Sequence, residues 1–281
     1  MNLHISHITE YFFSTDVFFE PHVLRFKPKF TPYCSAKEHH ITVDPEPAGL
    51  SRFLDSENND IQLCWFNDVH SKLYIKSESL LTISPYNPFQ FLIYPLEYNV
   101  LPFHYNATDS ESLEIYLRYQ DVPDNLANFG KQILKASNNE TIPFLTNITK
   151  AIHDDFLIET RLEGAPYTPA KSFNLKRGSC RDLAWMQINL LRFLGIASRF
   201  VSGYYFLDDD AVAFELHAWL EVYLPGAGWI GLDPTHGIAT GNHHIPVASS
   251  RIQENTMPVS GSIRGSATSK METNLYIQKL K

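Results

Sequence analysis

Residues 216–234 constrain this chain more than any other stretch. From Leu216 to Leu224 the sequence alternates without a break. Leu216, Ala218, Leu220, Val222 and Leu224 fall on one face of an extended strand, and His217, Trp219, Glu221 and Tyr223 on the other. Pro225-Gly226-Ala227-Gly228 then turns the chain, and Trp229-Ile230-Gly231-Leu232-Asp233-Pro234 returns as an antiparallel partner. The apolar face belongs to a core. The other face carries a histidine beside a tryptophan, residues suited to lining a cleft. A hairpin centred on Pro225 sets His217 directly opposite Asp233 on that face. Asp233 then accepts from the imidazole, fixes its tautomer and stabilises the imidazolium. A strand histidine is also a common structural residue, and Asp before Pro a common turn former. The register is therefore a test, because a loop one residue longer or shorter puts the two side chains on opposite faces.

A second segment supplies a nucleophile. Gly178-Ser179-Cys180-Arg181-Asp182 precedes a helical pattern in which Leu183, Met186, Leu190 and Leu194 form a stripe flanked by Ala184, Ile188 and Leu191. Gly195 is the natural stop. Ser179 suits the N-cap, with Asp182 reaching back as in a capping box. Cys180 is then the first helical residue. There the unpaired N–H groups and the positive end of the helix dipole favour a thiolate and an oxyanion beside it. The same residue also reads as a small buried side chain at a helix start. Taken together, a thiol at a helix start, a strand histidine and a carboxylate on the neighbouring strand are what nucleophilic acyl transfer requires.

The rest of the chain provides a frame. Residues 1 to about 84 read as short strands punctuated by turns, among them Asp44-Pro45-Glu46-Pro47 and the polar loop Asp55–Asp60, a pattern of sandwiches and partial barrels. Prolines 85, 88, 95 and 102 mark a connector over 85–103. Helices are expected over 111–119, 124–135 and from Pro143 to about 158, the last with Leu145, Ile148, Ile152 and Phe156 on one stripe. Residues 164–169 read as a loop. Residues 237–274, rich in Gly, Ser, Thr and Asn, read as a long connector before a short strand, Leu275-Tyr276-Ile277. The division is a β-rich N-terminal domain with its connector (1–103) and a catalytic domain with a C-terminal extension (104–281).

Composition excludes several classes. With 44% apolar residues the chain can bury a core. A net charge of −8 disfavours nonspecific binding to nucleic acid or anionic membrane. No apolar run approaches the roughly 20 residues that span a bilayer, and no secretory signal is evident. Three cysteines, Cys34, Cys64 and Cys180, cannot all pair within the chain and form no CxxC, so free thiols in the cytoplasm are the simplest expectation. Cys34 and Cys64 read as unreactive packing residues. No metal or other cofactor is expected. His39-His40 and His243-His244 are adjacent pairs whose side chains point to opposite faces of a strand, there is no HExxH, and Asp208-Asp209-Asp210 reads as a solvated turn. Oligomeric state is not legible.

RGSCRDLAWMQINLLRFLGIASRFVSGY and HAWLEVYLPGAGWIGLDPTHG, in that order, resemble the transglutaminase-like cysteine-enzyme superfamily, and especially bacterial members assigned as candidate cysteine proteases. The signatures are Gly178-x-Cys180-x-Asp182, His217-Ala218-Trp219-x-Glu221 and Asp233-Pro234-Thr235. Leu24-Arg25-Phe26-Lys27-Pro28, the Asp55–Asp60 loop and Asn87-Pro88-Phe89 match landmarks of the β-rich domain that precedes the catalytic domain in these proteins. The resemblance implies an α+β fold: a papain-like core, with the cysteine helix packed on an antiparallel sheet, behind a β-sandwich-like domain. It further implies a triad of Cys180 as nucleophile, His217 as general base and acid, and Asp233 as orienter, acting on a peptide or protein substrate. Trp219 and Asp182 match motif positions and are expected at the cleft. Two departures stand out: His236 where relatives often have asparagine, and Arg251-Ile252-Gln253 where they often carry Gly-Arg-Asp-Tyr.

Overall fold

The computed structural model describes residues 1–161, 166–206 and 215–280. The expected loop at 164–169 lies partly outside the described residues, and the Asp208-Asp209-Asp210 turn wholly so.

The chain begins as strands: β1 (Asn2–Phe19), β2 (His22–Leu24), β3 (Cys34–Asp44), β4 (Gly49–Leu54), β5 (Asp60–Trp65) and β6 (Val69–Ile83). Residues 3–10 of β1 alternate buried and partly exposed side chains, the period-two signature of a strand with one face on a core. β1, β6 and β3 lie side by side in one sheet, and β2, β5 and β4 in a second. Val17, Phe19, Leu24, Phe26, Cys64, Phe66, Leu73 and Ile75 fill the space between them, which makes the sandwich that the turn spacing predicts.

After the proline-rich connector come α1 (Ala107–Leu113), α2 (Asp124–Ala136), α3 (Thr141–Asp155), β7 (Leu157–Ile158), α4 (Pro169–Leu175), β8 (Arg177–Gly178) and α5 (Cys180–Phe193). α1 starts upstream of the expected position because Asn106 caps it, accepting from the Asp109 N–H. β9 (Ser198–Tyr205), β10 (Glu215–Leu224), β11 (Gly228–Asp233), β12 (Ile238–Ala239) and β13 (His244–Ser250) form an antiparallel sheet in the order β12-β11-β10-β9-β13. α5 packs on this sheet. Leu183, Met186 and Leu190 meet Ala218, Leu220, Val222 and Leu224 in one core, joined by the α3 stripe of Leu145, Ile148 and Ile152.

Two expectations are corrected. α5 does not present a single stripe: it is buried nearly all round, including Gln187, Asn189 and Arg192. These side chains are tolerated because most of their polar atoms are bonded, Gln187 Oε1 being the exception. Gln187 donates to the Thr149 hydroxyl, Asn189 to the Trp185 carbonyl, and Arg192 to the carbonyls of Ser198, Arg118 and Arg251. Residues 237–274 are not a long connector. β13 lies within them and every one of its residues is buried. The small polar side chains that suggest a loop are those a strand enclosed on both faces has room for.

The end of the chain returns to the sandwich. β14 (Val259–Ser260) pairs with β2, while β15 (Ile263–Arg264) and β16 (Ser269–Leu280) pair with β1. The expected short strand at 275–277 is thus part of a twelve-residue one. The sandwich also packs against the second sheet. Leu3, Ile5, Tyr33, Leu81, Ile83 and Ile277 share a core with Tyr204, Phe206, Ile245 and Val247. Within the Asp55–Asp60 loop, Asn59 is fully buried and exchanges hydrogen bonds with the Ser249 backbone. Two strands of this second sheet, β9 and β13, are therefore seated on the N-terminal sandwich.

Candidate active site

Cys180, His217 and Asp233 converge at one end of the sheet. Cys180 is the first residue of α5 and is partly exposed. Asp182 sets that helix start. Its fully buried carboxylate accepts from the Ser179 N–H at 2.9 Å and the Ser179 hydroxyl at 2.7 Å. It also accepts from the Tyr167 N–H at 2.7 Å and from Arg161 at 2.6 Å. Burial alone would raise its pKa, but these donors outweigh that and hold it below the usual carboxylate value. Asp182, expected at the cleft, is instead an internal anchor of the helix N-terminus.

The hairpin has the parity predicted and a different centre. Leu220 pairs with Leu232 and Leu224 with Gly228, so the turn centres on Gly226 rather than Pro225. Extending that register sets Asp233 opposite Trp219, two residues from His217. Period two preserves the face, and the pair meets diagonally. His217 Nε2 lies 2.7 Å from Asp233 Oδ2. The Cys180 thiol is the other group beside this ring that favours its charged form. Burial opposes the imidazolium, yet the bonds to Asp233 and Cys180 prevail, and the His217 pKa is pushed up to about 10.

Trp219 is placed differently from expectation. It is 1% exposed and forms part of the wall behind the site, not a cleft lining. The reason is Gly203 on β9: a Cβ there would collide with the Trp219 ring and the Ile245 carbonyl, so glycine lets the indole lie across its strand.

The carboxylate has more partners than the hairpin predicts. Oδ2 of Asp233 also meets His236 Nδ1 at 2.6 Å and His244 Nε2 at 3.0 Å. Oδ1 accepts the backbone N–H groups of Thr235 and His236 at 2.9 and 3.3 Å. Asp233 is fully buried, which favours the neutral acid, but the imidazole donors outweigh burial and hold it well below the carboxylate range. His153 bonds the Thr235 carbonyl at 2.7 Å and steadies the turn that presents His236. His236 and His244 were not legible as site residues. His236 stands out in the sequence only as a departure from the resembled motif, three residues after Asp233, and nothing there shows that it bonds the carboxylate. His244 looks like half of an adjacent pair in a connector.

His217, His236, His244 and Asp233 offer ligand-type atoms within 4.8 Å of one another. They are arranged as hydrogen-bond partners rather than metal ligands. The nitrogens stand 2.6–3.0 Å from Oδ2, whereas donors sharing a tetrahedral zinc at its usual bond lengths sit about 3.3 Å apart. In addition, the Gly241 N–H donates to His244 Nδ1 at 3.2 Å. That leaves the proton on Nε2, where a metal would need a lone pair. Cys34 and Cys64 take no part: burial pushes their thiols up to about 12 and about 11. Among the described residues no helix is long and apolar enough to cross a bilayer.

Comparison with known proteins adds to this geometry. Residues 127–234 match the core of the transglutaminase-like superfamily, and residues 3–82 match the bacterial transglutaminase-like N-terminal region. An uncharacterized Mycobacterium tuberculosis protein is 25% identical over 277 residues, covering 92% of this chain and 86% of its own. A protein-glutamine gamma-glutamyltransferase of Pseudomonas aeruginosa is 32% identical over 96 residues, 31% of this chain and 12% of that one. Among solved structures, a candidate cysteine protease from Cytophaga hutchinsonii superposes with a TM-score of 0.73 at 17% identity, covering all of this chain and 92% of its own, so the fold is shared along the whole length.

Proposed function

Because the chain belongs to the transglutaminase-like superfamily, we propose that it catalyses thiol-dependent acyl transfer on amide bonds, with hydrolysis of peptides or related amides as its reaction. The observation that carries the reading is the convergence of Cys180, partly exposed at a helix start, with His217, whose Nε2 lies 2.7 Å from the buried Asp233 carboxylate, an arrangement that pushes the His217 pKa up to about 10 and favours a charged ring. That charge is the natural counterion of a thiolate at a helix start.

Each step follows from this placement. The Cys180 thiolate attacks the amide carbonyl carbon and a C–S bond forms. The N–H of Cys180, unpaired within the helix as at any N1 position, donates to the developing oxyanion. His217 passes its proton to the leaving nitrogen as the C–N bond breaks, leaving a thioester. Water then attacks the thioester, His217 takes its proton, and collapse releases the acid and the thiolate. Asp233 keeps the ring oriented throughout. Three unpaired thiols suit a reducing compartment such as the cytoplasm.

An amine in place of water gives transamidation, a second reading supported by the local similarity to the Pseudomonas enzyme. Incubation of purified protein with glutamine-containing peptides and a primary amine separates the two: free acid marks hydrolysis, and an amine-bearing product marks transfer. Cys180→Ala should abolish either activity. Turnover surviving in the folded variant would reject thiol chemistry, whereas failure of a small electrophile to label Cys180 selectively would favour a peptide-binding scaffold that does not turn substrate over.

A further inference from the structure

The mechanism above uses His217 and Asp233 and leaves a second buried imidazole on the same oxygen unexplained. His244 is 1% exposed. One ring nitrogen accepts from the Gly241 N–H, so the other carries the hydrogen that points at Asp233 Oδ2. The edge of Trp219 closes on the ring at 5.3 Å. The backbone is held from the N-terminal domain: the Tyr33 hydroxyl donates to the His244 carbonyl at 3.1 Å, and the Lys29 N–H to the Pro246 carbonyl at 2.7 Å. Hence the ring can neither flip without losing a backbone bond nor move without disturbing the domain contact.

We propose that His244 is a positioning residue, a fixed neutral Nε2–H donor through which the N-terminal domain holds the Asp233 carboxylate in the orientation that receives His217. The proposal rests on the acyl-transfer reading. A carboxylate has two oxygens and free rotation about its terminal bond. Backbone N–H groups anchor Oδ1, and the buried His244 fixes Oδ2. Burial, with the neighbouring imidazoles, lowers the His244 pKa, so the donor persists when His217 is charged. His217 can then exchange its proton without the carboxylate following it.

The test uses the full chain. In spectra of protein with ¹⁵N-labelled histidine, the resonance lost on His244→Gln should be an Nε2–H imidazole that stays neutral at and above about pH 7. Alkylation of Cys180 by iodoacetamide at pH 6 reports the thiolate–imidazolium pair. His244→Leu should slow it by about tenfold or more, and His244→Gln, whose amide can donate in the same place, should recover most of that loss. His244→Leu should cost little further in the Asp233→Asn background, because it acts only through that carboxylate. Equal damage from Gln and Leu, additive losses, or a His244 still charged at neutral pH would overturn the proposal while wild-type alkylation stays fast. A wild-type thiol no faster than an unfolded-chain cysteine would instead sink the acyl-transfer reading, and this proposal with it.

Discussion

His7 in the N-terminal sheet and His217 in the sheet β9–β13 are both buried, and their protons behave oppositely. His7 is packed between Phe26 and Tyr204, and its nitrogens meet only hydroxyls: Tyr204 at 3.1 Å, Thr273 at 3.1 Å and Thr9 at 3.3 Å. Desolvation is uncompensated and the pKa falls to about 4. His217 suffers the same desolvation, but its neighbours are a carboxylate and a thiol, and its pKa is pushed up to about 10. Between these two histidines burial does not decide the charge; the carboxylate and thiol beside His217 do. A neutral His7 can glue two sheets together, whereas a charged His217 can hold a thiolate.

The most direct way to break the contrast is to remove the anion and keep its shape. Asp233→Asn should turn His217 into a residue like His7, with a pKa below the ordinary 6.5. Turnover should fall on the order of 10³–10⁴-fold. Titrating the His217 ring by NMR checks the cause, and peptide hydrolysis the consequence. A His217 that stays charged at pH 8 in this variant would show that Asp233 is not its support. Next in size is Asp182→Ala. It deprives the Ser179 N–H and hydroxyl, the Tyr167 N–H and Arg161 of their shared acceptor. Denaturant unfolding should report a loss of about 3–5 kcal/mol.

His7 sharpens the other half. Its folded pKa is lower than its unfolded one, so between about 4 and 6.5 the unfolded chain binds the extra proton. Stability present above pH 6.5 is thus lost as pH falls, by roughly 3 kcal/mol in total. His39, also lowered to about 4, steepens the same limb. His217 cannot offset it. A raised pKa contributes fully below 6.5 and is lost only as pH climbs through about 10. His7→Gln should flatten the acid limb of a stability–pH curve without removing the His39 part. An unchanged limb would put the acid sensitivity elsewhere.

The same two regions explain what the sequence makes legible. The meeting of His217 and Asp233 can be read because alternation fixes which face they share, and parity survives the two-residue error in register. The start of α5 is legible because a cap is a local event. What escapes is long-range. His244 joins the site only because β13 pairs with β9, a strand about forty residues earlier, under a domain whose contact no periodicity encodes. Trp219 looks like a cleft residue until Gly203, on another strand, makes room to bury it. The all-round burial of α5 likewise depends on partners for Gln187, Asn189 and Arg192 that lie far along the chain.

The smallest expected effect concerns the third imidazole. His236 stacks on Tyr205 at 4.2 Å, and its side chain is 35% exposed, so water can partly replace whatever it gives Asp233. Relatives that resemble this chain often carry asparagine here. An asparagine amide can donate from about the position of His236 Nδ1, so the bond to Oδ2 and not the ring is the shared element. His236→Leu should lower turnover by about five- to tenfold, the value of one charge-assisted bond partly exposed to solvent. His236→Asn should recover most of that loss, with the Tyr205 stacking gone in both variants. If asparagine fares as badly as leucine, the stacked ring matters more than its hydrogen. The contrast with His7 would then extend beyond charge, to a histidine valued for its face.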